Sequence, residues 1–281
     1  MDARRVRRLT LAVAAAGAVL TALAAIPAAG GTITYTGALQ MARGTYIFTV
    51  PTTGYFFFNG LTFSSRTFTL AATVPLIHQS TPYISYTGVG VLPSGGTESS
   101  AVSQRQGREP VLVPEVVESK PYGIGDPVIT AGLMLMKEGR AAPAVQLSAQ
   151  IKAPLADVDR GFGTGEWDFS AGVGLSKKLG NVFLFADVGY WILGDLPELE
   201  LRNTWAYALS VGHAFSGGRY SLMASYAGIT EVIEGVEPPA SLGLGLSIRV
   251  GSKNSLILNA AFGLSEASPD LSLSLGWSIG L

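Results

Sequence analysis

Few side chains in this chain could perform nucleophilic or acid–base chemistry. The sequence contains two histidines, His78 and His213, and no cysteine. A hydrolytic triad needs a histidine held between a serine and a carboxylate, and a histidine metal site needs several ligands at short spacing. Neither histidine has such neighbours in the sequence, and the glycine-rich segments lack a phosphate-binding lysine. We therefore predict that the protein is not an enzyme and that it holds no metal and no cofactor.

Seven polar side chains form a second candidate group because of the positions they occupy. Each one lies in a segment where large apolar residues alternate with small or polar ones, and each falls on the small and polar side. In a β-strand that side is one face of the sheet. Such a face could line a path for a solute, or its charges could pack into an ion-pair network, and the sequence leaves both open. The seven residues are Gln146, Gln150, Lys152, Asp168, Asp187, Arg249 and Asn259.

The elements that position these residues are predicted to be long β-strands. The segment LSLSLGWSIGL, residues 271–281, is the clearest example, because leucine, tryptophan and isoleucine alternate with serine and glycine without interruption. The same alternation returns repeatedly from about residue 43 onwards. We predict twelve strands, at residues 43–62, 66–76, 82–92, 123–136, 142–153, 165–177, 181–192, 202–215, 219–228, 239–250, 254–264 and 270–281.

The composition indicates that the apolar faces of these strands meet lipid. Hydrophobic residues make up 48% of the chain and charged residues 14%, against about 25% charged residues in soluble domains. Beyond the N-terminus no apolar stretch is long enough for a membrane-spanning helix. A tilted strand of about eleven residues covers roughly 28 Å, the thickness of the hydrocarbon layer. We predict an all-β fold, a transmembrane antiparallel β-barrel of about twelve strands in meander order, closed so that no strand edge meets lipid.

The connections between the predicted strands alternate in length. Tight links are predicted at HQST (78–81), KEGR (137–140), KLGN (178–181), SGG (216–218) and GSKN (251–254), and longer ones at 93–122, 154–164, 193–201, 229–238 and 265–269. Short turns on one rim and long outward loops on the other are typical of outer-membrane barrels. Lys and Arg concentrate near the tight links, and the long loops carry most of the acids. The longest segment, 93–122, could fold into the barrel mouth as a constriction or form a mobile extracellular loop.

Residues 1–29 are predicted to be a signal peptide. Four arginines precede an apolar stretch, and small residues follow it in PAAGG. We expect residues 30–281 to form the barrel, located in the outer membrane of a Gram-negative cell. Its expected partners are outer-membrane lipid, a small-molecule solute and the barrel assembly machinery, which reads the last strand. The net charge of −1 gives no reason to expect binding to nucleic acid.

Three segments carry a resemblance to a known family. GIGDPVITAGLML (123–135) starts with a G-x-G-D pattern, PAVQLSAQIKAPLAD (143–157) ends with K-x-P-x-x-D, and residues 161–195 contain a glycine-rich hairpin followed by a G-Y pair. The segments resemble the outer-membrane transporter-like family labelled "putative MetA-pathway of phenol degradation". The resemblance implies a channel or transporter for small, often aromatic or hydrophobic, molecules, and its matching residues are structural rather than catalytic. They are Gly123, Gly125, Asp126, Lys152, Pro154, Asp157, Gly161, Gly163, Asp168, Gly189 and Tyr190.

Three functional hypotheses remain at this point. The leading one is an outer-membrane β-barrel channel or transporter for small solutes, with aromatic or hydrophobic molecules as the expected class. The alternative is a non-transport structural or adhesive outer-membrane barrel, whose acidic loops would be the contact surface. The third is a barrel hydrolase, which would need one of the two histidines near a serine and a carboxylate.

Overall fold

The structure is a computed structural model that describes residues 31–46, 51–80, 84–93, 122–158, 161–195 and 200–281. The predicted signal peptide, residues 1–29, lies outside the described residues, and so does most of the predicted loop 93–122. Among the described residues there is no helix of the length and apolarity needed to cross a membrane.

The described residues form fifteen β-strands. Their bounds are β1 (Thr32–Gly44), β2 (Thr52–Ser64), β3 (Phe68–Gln79), β4 (Ile84–Thr87), β5 (Gly90–Pro93), β6 (Tyr122–Ile124), β7 (Val128–Met136), β8 (Ala144–Lys152), β9 (Asp168–Leu179), β10 (Val182–Ile192), β11 (Thr204–Phe215), β12 (Tyr220–Ile229), β13 (Ala240–Val250), β14 (Asn254–Gly263) and β15 (Leu271–Gly280). A single turn of 3-10 helix, Ser216–Gly218, separates β11 from β12.

The sheet closes on itself as a barrel. β1 pairs with β2 on one side and with β15 on the other, and the remaining barrel strands pair in chain order. β6 and β7 occupy one position in the ring, because both pair with β3. All pairings are antiparallel, and the ring has twelve positions. The predicted closed antiparallel barrel of twelve strands in meander order is therefore confirmed. Among the described strands, β4 and β5 pair only with each other, and they form a separate hairpin.

Each barrel strand has an apolar outer face and a small or polar inner face. Leu39 of β1 and Leu275 of β15 pair with each other, and both side chains are largely exposed on the outside of the barrel. The next pair along the same two strands, Gln40 and Ser274, faces inwards. A closed ring of paired strands leaves no backbone group without a partner in lipid. Exposed leucines around the outside of such a ring are what contact with a bilayer requires.

The first predicted strand was wrong in its bounds. The segment 43–62 contains the end of β1 and most of β2, which are separate strands joined through residues 45–51. The alternation in β1 is weakened because Gly37 and Arg43 stand among its outward residues. Gly37 is covered by a large neighbour, since a Cβ atom on it would clash with the ring of Trp277 in β15. This contact across the closing seam could not be read from β1 alone.

The predicted barrel strand at 82–92 was also wrong, and so was the tight link HQST (78–81). Residues 84–93 form the separate hairpin of β4 and β5, and His78 belongs to β3. The short turn in this part of the chain is at residues 65–67. Alternation shows that a segment is extended, but it does not show which strand it pairs with. The count of twelve nevertheless holds, because the unpredicted β1 takes the place of the segment 82–92.

The alternation of short and long connections is confirmed. At one end of the barrel the chain turns in a few residues, and at the other end the connections are longer. The short connections are 65–67, 137–143, 180–181, 216–219 and 251–253, and the longer ones are 45–51, 80–121, 153–167, 193–203, 230–239 and 264–270. The long-loop end is the end at which side chains from the connections pack inside the barrel.

Candidate functional site

The barrel mouth at the long-loop end is occupied by a β-hairpin. This plug hairpin consists of residues 84–93, that is, β4, β5 and the turn between them. Its side chains Ile84 and Leu92 have at most 2% of their surface exposed. They belong to one apolar cluster with Trp191 and Ile229, which project from the inner faces of β10 and β12. Because burial of apolar surface stabilises by about 25 cal/mol per Å², this cluster holds the hairpin against the barrel wall.

A second connection reaches into the mouth from the opposite side. This plug loop, residues 153–167, joins β8 to β9 and carries Phe162, which is 2% exposed. Phe162 packs in one cluster with Phe56 and Ile77, whose side chains project inwards from β2 and β3. Its ring lies directly over Gly123, where an added Cβ would clash with it. The plug loop therefore packs against the inner wall instead of standing above the rim.

A buried charge cluster lies where the plug hairpin, the plug loop and the wall meet. Lys152, the last residue of β8, forms ion pairs with Asp126 at 2.7 Å and with Asp168 at 3.3 Å, and all three side chains are fully buried. The same Nζ atom donates hydrogen bonds to the Thr164 hydroxyl at 2.8 Å and to the Glu166 backbone carbonyl at 3.1 Å. The ammonium group is therefore completely surrounded by oxygen atoms of the protein.

The two carboxylates of this cluster bind backbone groups of the plug and of the connection that follows β10. Asp168 accepts hydrogen bonds from the N–H of Gly88 at the hairpin tip, at 2.8 Å, and from the N–H of Gly194, at 2.9 Å. Asp126 accepts from the N–H groups of residues 155 and 156 in the plug loop, both at 2.8 Å. Removing one partner of a buried ion pair typically costs about 3–5 kcal/mol, because a charge is left without compensation. The cluster thus fastens both parts of the plug to the wall.

A break in one barrel strand places Asp126 in this cluster. Residues 125–127 separate β6 from β7, and Pro127 has no N–H for a ladder hydrogen bond. The N–H of Gly125 still donates to the Pro75 carbonyl at 2.8 Å, so the strand stays attached to β3 across the break. The G-x-G-D pattern of the sequence is therefore the point at which a wall strand bends and turns a carboxylate inwards.

Below the plug hairpin the barrel encloses a cavity of about 590 Å³. Its upper boundary includes Val89 and Val91 of the hairpin, and its wall includes Gln150 and Asp187. Many of its other inward residues are small, so the wall leaves open space next to the two polar side chains. These small residues are Ala42, Ser148, Ser170, Gly172, Gly189, Ala206, Ala208, Ala261 and Ser272.

The seven residues predicted from the sequence do not all reach this cavity. Gln150 and Asp187 border it. Lys152 and Asp168 project from the inner face of the wall, but they are fully buried beneath the plug, so they offer no surface to a solute. For these two residues the sequence allowed either a place along a solute path or a place in an ion-pair network. The structure places them in a packed ion-pair network. The reason is their position at strand ends, where the plug contacts the wall.

The remaining three predicted residues lie elsewhere on the inner register. Gln146 of β8 lies over Gly132 of β7, where an added Cβ would clash with its amide nitrogen. The amide of Asn259 is 3.4 Å from the hydroxyl of Ser274 on the neighbouring strand. Arg249 is exposed at the short-turn end of β13. Contact between any of these side chains and a solute stays a prediction.

Several residues of the plugged mouth were not singled out as site residues from the sequence. Phe162 and Trp191 project into the mouth, and Asp126 completes the charge cluster. The sequence does contain a pattern that marks Asp126. Asp126 is the last residue of the G-x-G-D pattern, and Lys152 is the first residue of the K-x-P-x-x-D pattern. A charge of each sign at two strand ends suggests an ion pair, but only the pairing of β7 with β8 brings the two ends together.

Both histidines lie among aromatic side chains on the outer face. The His78 ring stacks on Tyr122 at 4.6 Å and on Tyr55 at 5.8 Å between ring centroids. The His213 ring stacks on Phe215 at 6.4 Å and is exposed. Within the part of the chain that the structure describes, no group of three or more His, Asp or Glu side chains could hold a metal ion.

Two buried tyrosines in the plugged mouth have raised pKa values. Burial, together with the nearby carboxylate of Asp126, raises the pKa of Tyr86 in the plug hairpin to about 12. Burial and the nearby Asp270 also raise the pKa of Tyr46, in the connection between β1 and β2, well above its usual range. The Tyr46 hydroxyl is buried, and no described residue gives it a hydrogen bond.

Two solved structures with TM-scores of at least 0.50 support the fold. An outer membrane channel from Pseudomonas putida F1 is 15% identical, with a TM-score of 0.60, and the match covers 89% of this chain and 96% of that one. The KdgM porin is 6% identical, with a TM-score of 0.50 and coverage of 89% and 99%. The CymD monoaromatic hydrocarbon channel is 8% identical, with a TM-score of 0.47 and coverage of 90% and 88%. No curated protein matches the sequence.

The sequence also matches a family model over most of its length. Residues 83–280 match the family described as "Putative MetA-pathway of phenol degradation". This span contains the plug hairpin, the charge cluster and the strands from β6 to β15. The closed barrel and its apolar outer face place the protein in the outer membrane. The chain belongs to the family "Putative MetA-pathway of phenol degradation".

Proposed function

We propose that the protein is a channel that lets small solutes pass the outer membrane. The observation that carries the proposal is the cavity of about 590 Å³ inside a closed barrel, with a wall of small and polar side chains. This volume lies in the range of about 300–1,000 Å³ that is common for small-molecule sites. The family, and the channel and porin named among the similar folds, agree with this proposal.

We further propose that the solutes are small molecules with an aromatic or other apolar body. The plug hairpin presents Val89 and Val91 to the cavity, and Trp191 also borders it. Apolar side chains above a wall of small residues with a few polar groups suit a solute that has one apolar part and one hydrogen-bonding part. We do not expect hydrolase activity, because neither His78 nor His213 faces the cavity.

A structural or adhesive barrel is the second candidate, and the plug is the observation that favours it. The plug hairpin and the plug loop are both anchored by the buried cluster around Lys152. A mouth filled in this way would also suit a barrel that passes nothing. In this case the long loops would be the contact surface for a partner, and the cavity would be only the space that small residues leave.

Conductance in planar bilayers separates the two candidates. Purified protein is compared with a variant in which residues 84–93 are replaced by a Gly/Ser segment of equal length. A channel should conduct in its native form and should conduct more without the plug hairpin. The control is the same exchange in the exposed turn 137–140, which should leave conductance unchanged. Native protein that inserts but never conducts would overturn the channel proposal and support the structural role.

The arrangement in the cell follows from the same proposal. We propose that residues 1–29 direct export and are removed, that the assembly machinery recognises β15, and that the long-loop end faces outwards. The last point is supported by the usual arrangement of short periplasmic turns and longer extracellular loops.

A further inference from the structure

We propose that Asp187 makes the cavity below the plug hairpin a site for small cationic solutes, specifically amines with an apolar or aromatic body. This inference deepens the channel proposal and rests on it. Of the described residues that border the cavity, Asp187 is the only one with a charged side chain.

The wall around Asp187 is built from residues that leave its carboxylate accessible. Its partners across the two neighbouring strands are Gly174 and Ala208. A Cβ atom on Gly174 would lie 2.6 Å from Asp187 Oδ1, so the carboxylate lies over this glycine and any larger residue would displace it. The next row towards the plug consists of Gly172, Gly189 and Ala206. These small residues therefore leave open space beside the carboxylate.

Among the described residues, no side chain neutralises the charge of Asp187. No described lysine or arginine forms an ion pair with it, in contrast to Asp126 and Asp168, which share Lys152. A carboxylate in a confined space below an apolar plug attracts a cation more strongly than one in open water, because the effective dielectric constant is lower. The preferred solute is therefore one that brings a positive charge to this point.

The apolar side chains that border the cavity suit the second part of the solute, its apolar body. Val89, Val91 and Trp191 border the same space as Asp187. An ammonium group at the carboxylate leaves the body of the solute to contact these apolar side chains. Gln150, also in the wall, offers a further hydrogen-bonding group that does not discriminate by charge.

Three probes of the same size and different charge test this inference: benzylammonium, benzyl alcohol and benzoate. Uptake into liposomes that contain the native protein is measured against protein-free liposomes, and binding is measured by calorimetry in detergent. We expect the order benzylammonium, benzyl alcohol, benzoate in both measurements. Asp187→Asn should weaken benzylammonium binding by about tenfold or more and should leave benzyl alcohol unchanged. Glu237→Gln, which removes an exposed carboxylate in a long loop, is the control and should change nothing.

A measurement on the native protein covers the case in which Asp187→Asn fails to fold. Raising the salt concentration to about 1 M screens charges, so it should reduce the preference for benzylammonium over benzyl alcohol. If solutes pass without regard to charge and Asp187→Asn behaves like the native protein, this inference is overturned and the channel proposal stands. If nothing passes but benzylammonium binds and depends on Asp187, the channel proposal falls and the site remains.

Discussion

Lys152 lies where β8 ends and the plug loop begins, and its ammonium group is shared by two carboxylates, a hydroxyl and a backbone carbonyl. Each carboxylate in turn holds backbone N–H groups of the plug. A charge buried in this way must be paired and hydrogen-bonded, because an unpaired charge is very costly in a dry interior. The contacts of this cluster therefore hold the plug in the mouth.

Replacing Lys152 with methionine should release the plug. The two carboxylates would remain buried without a cation, which we expect to cost about 3–5 kcal/mol. The variant should lose its native gel mobility at a lower temperature, and protease should cut its plug hairpin more readily. Lys137→Met, which removes an exposed lysine in a short turn, is the control. Equal stability of the two variants would show that the cluster does not hold the plug.

Tyr86 should titrate close to pH 12 instead of its usual value near 10. Its raised pKa means that the folded protein favours the neutral phenol. The corresponding stability is therefore complete below about pH 10 and is lost as the pH rises through about 12. The tyrosinate absorbance of the native protein, minus that of Tyr86→Phe, measures this titration directly. A titration of Tyr86 near pH 10 would mean that the plug hairpin is hydrated.

Each barrel strand has two chemically different faces. In β15 the outward residues are large and apolar, and the inward residues are serine or glycine. A shift of register by one residue would exchange the faces along the whole strand. The pairing of β15 with both β1 and β14 fixes this register, since leucine meets leucine on the outside at positions 39, 275 and 258.

Arginine should be tolerated on only one face of β15. Leu275 lies in the middle of the strand on the outer face, where arginine should cost about 2–4 kcal/mol at the membrane midplane. Leu275→Arg should therefore assemble poorly, as measured by the fraction that resists unfolding in unheated gels. Ser274→Arg, one residue earlier and facing the lumen, is the matched variant and should assemble. It should also change conductance if the protein is a channel. Equal assembly of both variants would argue against the assigned faces.

The whole molecule is an asymmetric barrel, with short turns at one end and a plugged mouth at the other. Its two ends also differ in charge, because lysine and arginine gather near the short turns and acids in the long loops. The closed ring gives the barrel its stability in lipid, and the plug gives it the cavity that a solute could occupy.

Protease added to intact cells should reach the long-loop end only. Trypsin should cut within residues 93–122, which contain Arg105 and Arg108. It should spare the short turn at 137–140, although that turn contains Lys137 and Arg140. After the cells are opened, the short turn should become accessible as well. Cleavage of intact cells confined to residues 137–140 would reverse the proposed orientation.

Much of the fold could be predicted because a barrel strand carries its structure in its own alternation. The strands from β8 to β15 were predicted within a few residues, and the alternation of turn lengths gave the meander order. The errors lie where alternation is ambiguous. In β1 the small Gly37 stands at an outward position, so the alternation of that strand is weak. The plug hairpin alternates like a barrel strand, although among the described strands β4 and β5 pair only with each other.

The candidate site was predicted only in part, for a related reason. Periodicity placed Gln150 and Asp187 on the inner register, where they border the cavity. It placed Lys152 and Asp168 on the same register, but it could not indicate that the plug covers them.

The sequence by itself determined the barrel, its membrane-facing surface and the inner register, because these depend on local alternation and on hydrophobicity. Only the tertiary structure decided the plug, the cluster that joins Asp126, Lys152 and Asp168, and the position in the cavity of Asp187, which no described lysine or arginine neutralises. These features depend on which residues meet across the mouth. Contacts between distant segments are set by the closing of the ring and leave no periodic trace along the chain.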